Sequence, residues 1–332
     1  MTDQLPTTPV LVQLDHTPAG ALRPAVLELL TLARGLTAEG GVQGVWVADG
    51  AEPTDETLAA LAAHGVASVH RLVTDADVHV AAVLAEGLAD LVTSTGAATV
   101  LLVSSFENKD VAALLALATG AGVITDADGL ALQDGRVVAS KTVFAGTWTT
   151  RCAVLTATAV VTVKANSVPV TVADVPSALA VVDHPFAASA GARRVTVVER
   201  TPRAESGRPD LGSAHIVVAG GRGTNGDFSA VEELADVLGG AVGATRVATD
   251  EHWIGHEAQI GQTGVTISPR LYIGAGISGA VHHRGGMQAS GTIVAVNTDP
   301  DAPIFEIADF GIVGDLNAVL PQLTAELRRL KG

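Results

Sequence analysis

Residues 271–286 read "LYIGAGISGAVHHRGG". An apolar start runs into Gly274-x-Gly276-x-x-Gly279, the spacing used where a strand turns into a helix around a dinucleotide. Glycine lets the backbone reverse sharply and approach a phosphate closely. The spacing alone is weak, because glycine turns after strands are common. What stands around it decides the reading.

On both sides of this turn, short β-branched runs alternate with helical stretches. "HIVVAG" (215–220), "RLYIGAG" (270–276) and "TIVAVNTD" (292–299) read as strands. "FSAVEELADVLGG" (228–240) reads as a helix ended by glycine, and "DLNAVLPQLTAELRRL" (315–330) as a closing helix with basic residues in its last turn. The first half has the same texture. Strands are expected at 10–15, 44–49, 67–73 and 99–105, and helices at 24–36, 56–65 and 80–96. Such alternation predicts a mostly parallel sheet covered on both faces.

Around "LALQDGRVVASKTV" (130–143) the texture changes. Asp134-Gly135 between two alternating runs is a hairpin signal, and "AVLTATAVVTVKA" (153–165) reads as continuing strand. An antiparallel or mixed segment is therefore expected to end the first domain. Charge, Pro, Ser and Gly crowd into "ERTPRAESGRPDLGS" (199–213), the composition of a linker. The expected fold is α/β, with two doubly wound domains at 1–195 and 214–332 and a linker at 196–213. The first carries some antiparallel strands; the second is a Rossmann-like unit with a parallel sheet.

A chain of 332 residues, 48% apolar and 17% charged, can fill two such cores. Its longest uncharged runs, Leu91–Phe106 and Val111–Thr125, carry Thr, Ser or Gly and fall short of the roughly 20 apolar residues of a membrane span. "MTDQLPTTPV" lacks the basic and apolar regions of a secretory leader. A net charge of −15, with neither half basic, argues against a nucleic-acid partner. The single cysteine, Cys152, leaves no intramolecular disulfide and no cysteine-held iron–sulfur cluster. A cytoplasmic protein without membrane insertion is expected.

In open α/β sheets, ligands sit at the carboxyl ends of strands. Those ends in the second domain carry "GGRGTNG" (220–226), "QIGQTGV" (259–265), Ser278, His282, His283, Asn297 and Asp315. Arg222 offers a fixed cationic fork for phosphate or an electron-rich ring edge. No lysine stands between Lys164 and Lys331, and no Walker loop or Gly-x-Ser-x-Gly elbow occurs. The strand ends thus carry binding groups without an evident nucleophile. Adjacent His282 and His283 have no Cys, Asp or Glu at ligand spacing, so no metal site is expected. Asp75, Asp77, Asp126 and Asp128 read as loop and cap residues, and Cys152 as a packed small side chain. A nicotinamide fingerprint would place an acid at the end of the next strand. Asn297 stands there, with Asp299 two positions on.

These residues resemble the alpha subunit of electron-transfer flavoprotein. The shared signature is Leu271-Tyr272-Ile273, Gly276-Ile277-Ser278-Gly279, Val281-His282-His283, Gly286 and Ile293-x-Ala295-Val296-Asn297. Further matches are "GGRG" (220–223), "GATR" (243–246), "GQTG" (261–264) and "NTDPDAPIFEIADFGIVGDL" (297–316), with "FAGTWTTRCAVLT" (144–156) in the first half. Two positions depart, Gly274 for the usual Ala or Thr and His282 for the usual Gln, while Thr245 stands at a matching position for the commoner Ser.

The resemblance implies FAD in the C-terminal domain, in a heterodimer whose beta subunit carries AMP and contacts the N-terminal domain. Carried over by position, Thr263 would hydrogen-bond near flavin N5 and Gln262 would sit beside the ring, with Ile260 and Gly261 in the same turn. Arg246 would lie against the isoalloxazine and His283 at its N1/C2-carbonyl edge. Charge develops there on one-electron reduction, so a cation or donor would stabilise an anionic semiquinone. Ser278, Thr245 and the backbone N–H groups of Gly279, Ala280, Val281 and His282 would hold the pyrophosphate at the start of a helix. Asn297, Asp315 and Leu316 would meet the adenosine end. The implied role is an electron carrier without substrate bond chemistry, taking electrons from flavin dehydrogenases such as those of fatty-acid β-oxidation and delivering them to a membrane quinone oxidoreductase. The alternatives are an NAD-dependent Rossmann oxidoreductase and a non-redox nucleotide-binding module.

Overall fold

The computed structural model describes residues 5–144, 147–200 and 207–331. Residues 201–206 of the expected 196–213 linker, residues 145–146, and the first four residues of the amino-terminal stretch lie outside the described residues. The chain divides into two units, Met1–Lys141 with Thr150–Pro202, and Thr142–Thr149 with Arg203–Gly332.

The elements of the first half begin β1 (Val10–Gln13), α1 (Pro24–Arg34), β2 (Val42–Val47), α2 (Asp55–Ala63), β3 (Ser68–Val73) and α3 (Ala81–Thr95). They continue β4 (Thr99–Val103), α4 (Phe106–Thr119), β5 (Gly122–Ala127), β6 (Gly129–Gln133), β7 (Arg136–Val143), β8 (Trp148–Ala153), β9 (Ala159–Val163) and β10 (Ala180–Pro185). Seven strands pair in the order β10-β3-β2-β1-β4-β9-β5, every pairing parallel. Successive side chains leave opposite faces of a strand. Accordingly Val10, Val12 and Leu14 pack with α1, while Leu11 packs with α3 and α4.

The expected hairpin forms at Asp134-Gly135: β6 and β7 are antiparallel, with Gln133 opposite Arg136. With β8 they make a separate three-stranded sheet, order β6-β7-β8. The stretch 153–165 is not one strand, which corrects the sequence reading. It bends over 154–158, and β9, buried along its whole length, runs parallel between β4 and β5. An apolar β-branched run states that a strand is buried, but its partners come from elsewhere in the chain. α4, β5 and β10 are further elements that the alternation had not singled out. Cys152 packs, half-buried, against the first core.

The second half runs β11 (Ile216–Gly220), α5 (Ser229–Leu238), β12 (Ala241–Ala244), α6 (Arg246–Asp250), β13 (Leu271–Ala275), α7 (Val281–Met287), β14 (Thr292–Asn297), β15 (Phe310–Val313) and α8 (Leu316–Lys331). The strands order as β12-β11-β13-β14-β15, all parallel. α5 and α8 cover one face with Val231, Leu234, Leu316 and Leu320; Tyr272, Ile277 and Met287 fill the other. The chain moves from β11 to β12 on one side and then crosses to β13 on the other. The order reverses between β11 and β13, and connections leaving in opposite directions open a crevice at those carboxyl ends.

Candidate functional site

A cleft of about 560 Å³ lies at that reversal, a volume in the range of small-molecule sites. Its walls are the segments after β11, β12, β13 and β14 and the start of α8. Gly276 has φ +63, and a Cβ there would stand 2.7 Å from the Gly223 Cα. Gly279 has φ +84, and its Cβ would stand 2.4 Å from the Ile304 nitrogen. Two of the three motif glycines are thus required where protein backbone meets protein backbone. Gly274 lies inside β13 against the Tyr272 ring, 2.8 Å from where a Cβ would sit. The spacing that suggested close approach to a phosphate is explained by packing between the loops.

The candidate residues converge from seven segments. Arg222 enters after β11; Thr245 and Arg246 after β12; Ile260, Gly261 and Thr263 from the turn that follows α6. Ser278 and Ala280 come from the turn after β13, His282 and His283 from α7, Asn297 from the end of β14, and Asp315 and Leu316 from the start of α8. Three candidates do not line the cleft. The Gln262 side chain lies against Gly285 of α7, Gly279 is buried beneath Ile304, and Val281 is exposed on the first turn of α7. Gly223, Asn225, Val247, Thr298, Asp299 and Ala302 also line it and were not among the candidates.

Cation and hydroxyl chemistry dominates one end. Arg222 is exposed and makes no ion pair among the described residues. Arg246 reaches Asp250 at 3.1 Å, but both side chains are more than half exposed, and such i,i+4 pairs hold a side chain only weakly. Thr245 occupies the N-cap position of α6, yet its hydroxyl makes no capping bond. That oxygen is buried and has no hydrogen-bond partner. A buried, unsatisfied hydroxyl is uncommon, and at the wall of a cleft it is a donor and acceptor open to a ligand atom. Ser278 stands exposed across the cleft, its carbonyl accepting from the Ile304 N–H at 2.9 Å.

Other polar residues of the lining are already engaged. His283 is buried, 2.8 Å from the Tyr272 hydroxyl through Nε2 and 3.2 Å from the Ile260 carbonyl through Nδ1. A carbonyl can only accept, so Nδ1 carries the proton and Nε2 accepts from the tyrosine. Burial lowers the His283 pKa to about 4 and raises that of Tyr272, so the imidazole is neutral at pH 7. Positive charge at the cleft therefore comes from the arginines. Asn297 donates to the Ile277 carbonyl at 2.9 Å and accepts from the Asp299 N–H at 3.0 Å, tying two loops together. Asp315 caps α8, accepting from the Asn317 N–H at 2.9 Å. Behind the turn at 260–263, buried Gln259 donates through Nε2 to Thr263 Oγ1 at 3.0 Å. Its Oε1 accepts from the buried Thr249 hydroxyl at 2.8 Å. The sequence signal for this layer was a lone polar residue at the head of the apolar-flanked "QIGQTGV".

Among the described residues, no group of three or more His, Cys, Asp or Glu is placed to hold a metal, and no helix is long and apolar enough to cross a membrane. The early acids pair locally: Asp75 with Arg193, Asp126 with Lys109, Asp128 with Lys164, while Asp77 accepts from the His79 N–H.

The second unit is a parallel doubly wound α/β sheet with an arginine-flanked cleft at its switch point, the place where such sheets take ligands. Comparison with known proteins narrows this. Residues 210–288 match the electron transfer flavoprotein FAD-binding domain, and residues 10–204 match the electron transfer flavoprotein domain. An electron transfer flavoprotein subunit alpha of Mycobacterium leprae is 41% identical over 326 residues, covering 97% of this chain and 99% of the relative. The protein of the same description from Bacillus subtilis is 32% identical over 317 residues, covering 94% and 95%. One from Paracoccus denitrificans is 54% identical over 126 residues, 37% of this chain and 41% of the relative. The chain belongs to the electron transfer flavoprotein alpha-subunit family.

Proposed function

We propose that this chain is the alpha subunit of a heterodimeric electron carrier, with FAD in the cleft between the ends of β11 and β13. The observation that carries the reading is the buried Thr245 hydroxyl, unpartnered at the wall of a cleft flanked by Arg222 and Arg246. Family membership and the match of residues 210–288 to a FAD-binding domain support it. FAD supplies the capacity to take up and release electrons one at a time.

The residues divide this work by chemistry. Thr245 and Ser278, with the turn 279–282, would hold the pyrophosphate, whose charge the arginines offset in a protein of net charge −15. Asn297, Asp315 and Leu316 would meet the adenosine end, and Thr263 the flavin ring. Arg246 is loosely held, so its guanidinium is free to move over the ring and favour added negative charge. Neutral His283, locked by Tyr272 and Ile260, would form a rigid polar wall beside it. His282, exposed at the cleft where the resembling family has glutamine, would place an imidazole at the pyrophosphate turn.

The partner in this reading is a beta subunit that carries AMP and meets the N-terminal domain. Electrons come from flavin dehydrogenases such as acyl-CoA dehydrogenases and leave to a membrane quinone oxidoreductase, in the cytoplasm. No bond of a substrate is made or broken. The test is the visible spectrum of the chain co-purified with its beta partner, before and after addition of a reduced acyl-CoA dehydrogenase. A yellow protein that bleaches is expected; a colourless preparation that takes up no FAD overturns the proposal.

A further inference from the structure

We propose that Gln259 is a positioning residue that sets which way the Thr263 hydroxyl points its proton. The inference rests on the reading that the flavin ring lies against Thr263. A hydroxyl has one proton to give and two lone pairs to receive with. The Gln259 amide already donates to Thr263 Oγ1 at 3.0 Å. No described residue accepts the Thr263 proton, and Thr263 is exposed on the cleft wall. With one lone pair engaged from behind, the proton is directed into the cleft.

The other end of the amide meets Thr249, whose one proton has two acceptors in reach, Gln259 Oε1 and the Arg246 carbonyl. Gln259 Oε1 accepts from Thr249 Oγ1 at 2.8 Å, and Gln259 is only 1% exposed, so no water competes for either end. The backbone is equally constrained. Ile260 N–H donates to the Ala244 carbonyl at 2.9 Å, anchoring the segment to β12, and Val265 N–H closes on the Gln259 carbonyl at 2.7 Å. Gly264 permits that closure, since a Cβ there would stand 2.3 Å from the Gln259 carbonyl oxygen.

Reversing the amide would turn Oε1 toward Thr263. The hydroxyl would then give its proton to Gln259 and show the cleft only a lone pair, while Thr249 kept the Arg246 carbonyl, 2.9 Å away, as its acceptor. Both arrangements are self-consistent, so Gln259 selects between a donor and an acceptor at Thr263. N5 of an oxidised flavin is an acceptor, and the observed arrangement is the one that serves it.

The experiment uses the full chain co-purified with its beta subunit and loaded with FAD carrying 15N at N5. The N5 resonance of oxidised FAD reports the hydrogen bond directly, independent of electron-transfer activity. Thr263→Ala and Gln259→Glu are both expected to move it in the same direction by similar amounts, because a carboxylate draws the Thr263 proton away from the cleft. Gln259→Met, an apolar near-isostere that tests the relay if a buried carboxylate unfolds the chain, should move it less. The Gln259→Met/Thr263→Ala double variant should move no further than Thr263→Ala alone. FAD affinity, read by fluorescence quenching, should fall about three- to tenfold in Thr263→Ala and Gln259→Glu, the loss of one hydrogen bond. An unmoved N5 signal in both Gln259 variants, or a Gln259→Met shift that adds to that of Thr263→Ala, overturns the relay alone. Failure of the unaltered protein to bind FAD, or an N5 signal indifferent to Thr263→Ala, overturns the reading on which the relay rests.

Discussion

The two parallel sheets of this chain reverse their strand order in comparable ways and finish differently. In the seven-stranded sheet the reversal lies between β1 and β4. β4 ends at Val103 and α4 starts at Phe106, leaving two residues between them. Ser104 Oγ donates to Asp126 at 2.6 Å, Thr162 Oγ1 donates to Ser104 at 3.1 Å, and Lys109 pairs with Asp126 at 2.7 Å. Nearby, Trp46 is fully buried, and the His16 ring stacks on it at 3.9 Å. In the five-stranded sheet β11 ends at Gly220 and α5 starts at Ser229, and glycines at 221, 223 and 276 hold the loops backbone to backbone. One set of strand ends is bridged by side chains that bond one another, with Gln13 Oε1 at the end of β1 left buried and unpaired; the other leaves a cleft, with the Thr245 hydroxyl unpaired at its wall. Topology supplies a switch point, and loop length and side-chain bulk decide whether it becomes a site.

That contrast can be broken by substitution. The largest effect is expected from Trp46→Ala, which empties a filled position and should destabilise the first unit by about 3–5 kcal/mol without lowering the FAD affinity of the folded protein. Urea unfolding and flavin titration check this; parallel loss of both would mean the first sheet's end serves the site. Gly276→Ala reverses the logic by adding an atom where the two loops already meet backbone to backbone. A Cβ at φ +63 against Gly223 should cost about 2–4 kcal/mol in the second unit and abolish FAD uptake. Normal uptake would show that glycine packing does not keep the cleft open.

Acid should weaken the second unit through His283. Its folded pKa of about 4 lies below the unfolded value of 6.5, so the unfolded chain takes up the proton first as pH falls. The resulting loss begins near pH 6.5, grows as pH drops toward 4 and then levels off, amounting to at most about 3 kcal/mol. His283→Gln should remove this component from the pH dependence of the urea midpoint; an identical profile would contradict a buried neutral histidine.

Thr245→Val is expected to act on the ligand alone. Apo stability should stay within about 0.5 kcal/mol, since the hydroxyl has no partner to lose, while FAD affinity falls about three- to tenfold. Equal affinity would remove Thr245 from the site. The smallest effect on the fold belongs to Arg246→Ala, below about 0.5 kcal/mol because its pair with Asp250 is exposed. The first reduction potential of bound flavin should nevertheless drop, and an unchanged potential in a spectroelectrochemical titration would exclude the charge role.

Much of this was readable from residue order. Strand–helix alternation needs only local periodicity, which is why β1 to β4 and β11, β13 and β14 lie where the apolar runs placed them. The hairpin at Asp134-Gly135 follows from turn chemistry within four residues. Most candidate residues meet at one cleft because carboxyl ends of parallel strands in one sheet necessarily share an edge. What escaped depends on partners far away in sequence. β9 enters the first sheet between β4 and the edge strand β5 by pairing with β4, some 60 residues earlier. Gln262 was grouped with Thr263, yet adjacent residues in a turn point apart, and only its packing on Gly285 shows that it leaves the cleft.

The sequence by itself determined the class of fold, the strand-end turns and the family, because these depend on periodicity, glycine placement and residue identity along the chain. Only the tertiary structure decided what each side chain has left to offer. Asn297 is tied to Ile277, His283 is held neutral between Tyr272 and Ile260, and Thr263 is met from behind by Gln259. Hydrogen-bonding capacity is finite, and which donors and acceptors remain for a ligand depends on contacts between segments that the linear order keeps apart.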